Sequence, residues 1–216
     1  MNRYRSLILV FALVLLAATG CKHRQQPVET KMSPLMSVAV APFTVPKEPF
    51  DLLAGYLPER VNAPAPENLA EMDYLLSQAL KATPDRNLTG ASKVKLCMDS
   101  TKRPAVPSRL GTLQYWQAVG KCLDVQYLLI PMAENWSERE GSAAGSTRPA
   151  WIILDMYLLN VKTGGLVNHF HYDYQQQALA DNILDAPKFF KRHAQWITAG
   201  ELAKEALEQG LKELGL

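Results

Sequence analysis

The chain reads as one α/β domain, a small mixed β-sheet flanked by helices, carried behind an export leader. Strand-like and helix-like segments alternate from residue 37 onward, the order that builds a sheet with helical crossovers. The composition is globular, 48% apolar and 20% charged over 216 residues, which excludes collagen-like, low-complexity and disordered chains. Charge is the third observation. Arg3 and Arg5 lie in a leader without Asp or Glu, and removing them takes the 23 Lys and Arg to 21, level with the 21 Asp and Glu. A neutral body lacks the cationic excess that nucleic-acid binding requires, so no nucleic-acid partner is expected.

Residues 1–20 form a signal peptide: Arg3 and Arg5, an apolar run from Leu7 to Ala18, then small residues before Cys21. Twelve apolar residues are too few for a bilayer core of about 30 Å, so the run is an export signal and not an anchor helix. Cys21 directly after Ala18-Thr19-Gly20 resembles the bacterial lipobox, with Ala18 where leucine is usual. The resemblance implies cleavage before Cys21 and lipidation of its sulfur and new amino group; the alternative is an ordinary secretory signal that ends near a cysteine. Lys22, in place of an Asp, implies onward transfer to the periplasmic face of the outer membrane. Residues 21–36 are polar, aperiodic and interrupted by Pro27 and Pro34, which marks a tether. The fifteen residues after Cys21 reach about 50 Å at most.

The domain then occupies 37–216. Ser37 to Phe43 is a short β-branched strand closed by proline. Thr44 to Pro66 is an irregular, proline-bearing stretch holding Phe50, Leu52, Leu53, Tyr56 and Leu57, long enough to suggest either a function or a short packed helix. Glu67 to Ala82 carries Leu69, Met72, Leu76, Ala79 and Leu80 at helical spacing behind Pro66. Ser92 to Cys97 alternates like a second strand. Ser108 caps a helix to about Leu123, with Leu110, Leu113, Trp116 and Val119 as its apolar side. Val125 to Pro131 is the third strand, and Asn135 to Pro149 a polar, glycine-bearing loop. Trp151 to Val161 and Leu166 to Tyr174 form a hairpin around Lys162-Thr163-Gly164-Gly165. In its second strand Leu166, Phe170, Tyr172 and Tyr174 share one face and Val167, His169, His171 and Asp173 the other. A helix is expected over Asp185 to Trp196, and Thr198-Ala199-Gly200-Glu201 opens a last helix of about 199–213.

Few residues carry chemistry. Cys97 and Cys122 are an even remainder after Cys21 and suit a disulfide in an oxidising compartment; equally, each is a small buried hydrophobe. His169, His171 and Asp173 are the weak metal candidates of one strand face, read first as a solvated surface, so no metal and no cofactor is expected. Glu138 and Glu140 beside Arg139 are a carboxylate pair in a polar stretch without an apolar pocket, which reads as a solvated loop and not as an acid/base pair. Asp155, between Ile153 and Tyr157, is a part-buried carboxylate that needs a partner. Nucleophile elbows, phosphate loops, dinucleotide fingerprints and His-Glu-x-x-His are absent from the sequence, so no catalytic residue is assigned. Phe50, Tyr56 and Trp136 are the aromatic candidates for a partner surface.

Three segments in order, Val38-Ala39-Val40-Ala41-Pro42-Phe43, Val119 to Ile130 (Val-Gly-Lys-Cys-Leu-Asp-Val-Gln-Tyr-Leu-Leu-Ile) and Leu158 to Val167 (Leu-Leu-Asn-Val-Lys-Thr-Gly-Gly-Leu-Val), resemble a pattern shared by one superfamily. It contains curli-secretion lipoproteins of the CsgG type, the N-terminal domain of the TolB propeller protein, and LpoB-type lipoprotein activators of peptidoglycan synthases. The resemblance covers most of residues 37–213. It implies an anticodon-binding-like α/β sandwich on an outer-membrane lipoprotein that works without catalysis, by binding an envelope protein or by self-assembly. The short tether departs from the long stalk of the synthase activators, and the pair of long amphipathic hairpins that curli-type pores need is not evident.

Overall fold

In the computed structural model, residue 33 and residues 35–82, 87–177 and 190–216 are described. The expected signal peptide, Cys21 and most of the tether lie outside them, as does the greater part of the helix expected over Asp185 to Trp196. Five strands form the main sheet in the order β2-β1-β3-β6-β7. The strands are β1 (Ser37–Val40), β2 (Asn87–Thr89), β3 (Tyr127–Ser137), β6 (Trp151–Asn160) and β7 (Leu166–Gln175). β1 runs parallel to β2 and β3, whereas β3, β6 and β7 are antiparallel. The expected small mixed sheet flanked by helices is the observed fold. A short hairpin, β4 (Glu140–Gly141) with β5 (Ser146–Arg148), stands apart from it.

Helices cover both faces. α1 (Pro66–Lys81) and α4 (Ala199–Leu214) bury one set of strand residues, including Val40, Leu129, Leu154, Met156, Leu158, Phe170 and Tyr172. α4 opens with the expected capping box, Thr198 Oγ1 accepting from Glu201 N while Glu201 accepts from Thr198 N, and ends on Gly215 in the left-handed region. Gly210 lets α4 close on the sheet: a Cβ there would meet Met156 Cε at 2.0 Å and Phe170 Cδ1 at 2.5 Å. The opposite face packs Ala39, Leu128, Ile130, Met132, Tyr157 and Leu159 against α2 (Ala91–Ser100) and α3 (Arg109–Cys122). A disulfide, Cys97–Cys122, joins those two helices with a Cα–Cα distance of 5.9 Å.

Four expectations are corrected. Ser92 to Cys97 is helix, not strand; the strand is Asn87–Thr89, and Gly90 in extended conformation starts α2. Val94 and Cys97 are buried three residues apart, so helical spacing prevailed over apparent alternation. Leu110 is exposed, because at 100° per residue it sits half a turn from Val119, while Tyr115, Trp116 and Val119 make the buried side. β3 runs on through Pro131 to Ser137. Proline is tolerated there because its nitrogen faces the gap after β1, where Ala41 bonds Leu129 O and Thr44 bonds Pro131 O. Leu166 faces the α2–α3 side with Leu159, since the extra residue Val167 forms a bulge that reverses the alternation before Asn168.

The irregular stretch after β1 forms no helix. Leu52 and Leu53 are its buried anchors on the α2–α3 side, Ala54 accepts from the Tyr157 hydroxyl, and Asn62 bonds Asn135, Trp136 and Ser137. The segment therefore holds on to the sheet on either side of Glu134 and Asp155.

Candidate functional site

The far end of the α2–α3 face collects four titratable side chains. Asp155 in β6 stands opposite His171 in β7, and Tyr157 opposite His169, so pleating puts all four on one face. His169 Nε2 and His171 Nδ1 both donate to Asp155 Oδ1, at 2.6 and 2.8 Å. Tyr157 stacks on the His169 ring, with centroids 4.5 Å apart and 12° between planes. Its hydroxyl has two acceptors within reach, Ala54 O at 2.9 Å and Asp155 Oδ2 at 3.1 Å. Asp155 is 1% exposed, while the His169 and His171 side chains, on the edge strand, are 25% and 46% exposed.

Glu134 completes the group from β3. It is the extra residue of a bulge, since Ala133 pairs with Leu154 and Asn135 with Ile153, while Met132 stands opposite Asp155. The bulge turns Glu134 inward, where it is 2% exposed and its carboxyl meets that of Asp155, to which it donates when protonated. Burial first, then Asp155 and Asp173, push the Glu134 carboxyl up to about 9, so it is neutral at pH 7. Burial acts on Asp155 in the same sense, but the hydrogen bonds from His169 and His171 outweigh it and hold this carboxyl well below the usual carboxylate range. The bond to Asp155 raises His171 above its ordinary value despite half burial. Tyr157 is driven upward by burial and by Asp155.

The structure thus brings His169 and His171 together, with Asp155 and not Asp173 as their carboxylate. Asp173 instead accepts from Trp151 Nε1 at 2.8 Å. Phe50 is half-buried and Tyr56 is 76% exposed, whereas Trp136 is buried against the α1–α4 core and forms no partner surface. Glu138 lies in the exposed turn between β3 and β4, as expected, and its carboxylate also accepts from Ala199 N, at 3.1 and 3.3 Å, at the positive end of α4. Arg139 donates to Trp196 O, and Glu140 pairs with Arg148 at 2.8 Å on the exposed hairpin. Sequence reasoning missed Glu134. Its signal was a lone acid in Tyr127 to Trp136, which shows itself only once the strand is carried past Pro131.

No protein-family model matches the chain, and no curated protein matches it in sequence. Among solved structures it is similar to the PelC dodecamer from Paraburkholderia phytofirmans, at 13% identity and a TM-score of 0.48 over 86% of this chain and 91% of that one. It is also similar to the LpoB C-terminal domain from Salmonella enterica, at 17% identity and a TM-score of 0.35 over 65% and 83%. Lipoprotein GNA1162 from Neisseria meningitidis is similar at 8% identity and a TM-score of 0.39 over 74% and 98%.

Proposed function

We propose that this chain is a lipid-anchored protein of the periplasmic face of the outer membrane that works without catalysis, by contact with an envelope protein or with further copies of itself. The Cys97–Cys122 disulfide carries the reading, because it is independent of the leader and suits the same oxidising compartment that the lipobox-like Cys21 implies. No helix among the described residues is long and apolar enough to cross a membrane. Exposed apolar residues supply a contact face: Arg109 donates to Gly55 O at 2.8 Å, which sets Tyr56 beside the start of α3, where Leu110 is 64% exposed. The carboxylates that the sequence singles out have other partners: Glu138 bonds the start of α4, Glu140 pairs with Arg148, and Asp155 accepts from the two histidines.

Membrane fractionation with intact-mass measurement tests the anchor. The wild-type chain is expected to sediment with outer membranes and carry acyl mass on Cys21, and Cys21→Ser to lose both. Native mass of the detergent-solubilised chain, with and without Tyr56→Ser and Leu110→Ser, tests self-assembly. An unacylated wild-type chain free in solution would overturn the reading.

A further inference from the structure

We propose that Asp155, His169 and His171, with Glu134 behind them, form a binding site for one divalent transition-metal ion of the zinc class. The donor atoms, two imidazole nitrogens and a carboxylate oxygen, all lie within 4.8 Å of one another. Imidazole with carboxylate is the set that zinc and its neighbours take, and two strands supply it here without a flexible loop. Adjacent ligand atoms around a tetrahedral zinc are about 3.3 Å apart. The present separations of 2.6 and 2.8 Å from Asp155 Oδ1 need to open by little more than half an ångström, on the edge strand, where both histidines have room.

Glu134 is the independent observation. A carboxyl 2% exposed is held by the bulge of β3 against Asp155, its hydrogen-bond partner, so that a buried group backs the ligand carboxylate from the side away from the histidines. A cation there takes three protein ligands, two histidines and one carboxylate, and leaves its fourth position to water, with Glu134 supporting Asp155 from behind. Tyr157 serves as an outer support, stacked on His169 and bonded to Asp155, so that the ring and the carboxylate are both oriented before the ion arrives.

Equilibrium dialysis and calorimetry of the full-length chain with zinc sulfate test this, with nickel and magnesium salts as comparisons. One zinc per chain is expected at micromolar concentration or tighter, with magnesium bound at least 100-fold more weakly. His171→Gln and His169→Gln are each expected to weaken zinc 10- to 100-fold, and Glu134→Gln about 10-fold. His171 is half exposed, so its variant folds; circular dichroism of each variant confirms that the loss is local. Zinc is expected to raise the melting temperature of the wild type and not that of His171→Gln. No uptake at 1 mM zinc, or uptake unchanged in the double variant of His169 and His171, as would arise from His23 or His193, overturns the proposal.

Discussion

Glu134→Gln is the perturbation that reports most directly on the buried cluster. Between its ordinary value of 4.5 and about 9, the folded metal-free chain holds a proton on Glu134 that the unfolded chain has released. The folded state binds more protons across that window, so stability falls as pH rises, at about 1.4 kcal/mol per unit for one group. From 4.5 to pH 7 the accumulated cost is about 3 kcal/mol. Glutamine keeps the shape and cannot ionise, so the variant is expected to match the wild type near pH 4.5 and to exceed it by about 1 to 3 kcal/mol at pH 7. His171 adds a loss of the same sign, since its raised value contributes stability below 6.5 that disappears as pH rises through the folded value. That contribution is common to both proteins and leaves the difference to Glu134. Guanidinium melts of chelator-treated full-length chains at pH 5, 6, 7 and 8 measure it. A variant-minus-wild-type difference that stays flat over that range would refute the burial argument.

Three further outcomes follow from the packing. Replacing Cys97 and Cys122 by alanine opens a loop of 25 residues' separation and is expected to cost about 3 to 4 kcal/mol in urea unfolding, with reductant abolishing the difference between the two proteins. Gly210→Ala drives a methyl group into Met156 and Phe170 and is expected to cost about 1 to 3 kcal/mol, visible as a lowered melting temperature; an unchanged one would show that α4 lifts freely from the sheet. Glu138→Ala leaves Ala199 N at the start of α4 without its carboxylate and is expected to cost about 0.5 to 2 kcal/mol, less at high salt, in thermal melts at two ionic strengths.

The local grammar of this chain was readable. Pro66 at the start of α1, Ser108 before α3, the Thr198 to Glu201 box and the turn around Gly164 each specify an element through backbone chemistry within a few residues. The alternation of Phe170 and Tyr172 against His169, His171 and Asp173 likewise gives the correct faces. What failed was alternation without context. Ser92 to Cys97 satisfied it as a strand, yet Gly90 and the spacing of Val94 and Cys97 made helix the better burial. Leu110 was counted with Val119 because both are apolar, although the helical angle separates them.

The site itself was hidden by register, a property of two strands and not of either alone. Continuing the ladder unbroken from Leu159 opposite Leu166 would set Asp155 opposite Phe170 and put that ring, in place of an imidazole, on the α2–α3 face. One extra residue, Val167, slides β7 by a single step and delivers His171 to Asp155 instead, with His169 two positions along. A second extra residue, Glu134, does the same on the other side of β6. Two bulges flanking one strand thus convert a stretch of ordinary sheet into a converging set of two imidazoles and two carboxyls. Neither bulge has a sequence mark of its own: no glycine stands at Glu134 or Val167. The segment that the sequence shows only as an overlong loop bonds the neighbours of both carboxyls, Tyr157 through Ala54 and Asn135 through Asn62, while the edge strand leaves His171 open to solvent, so the buried carboxyls are approached from the histidine side.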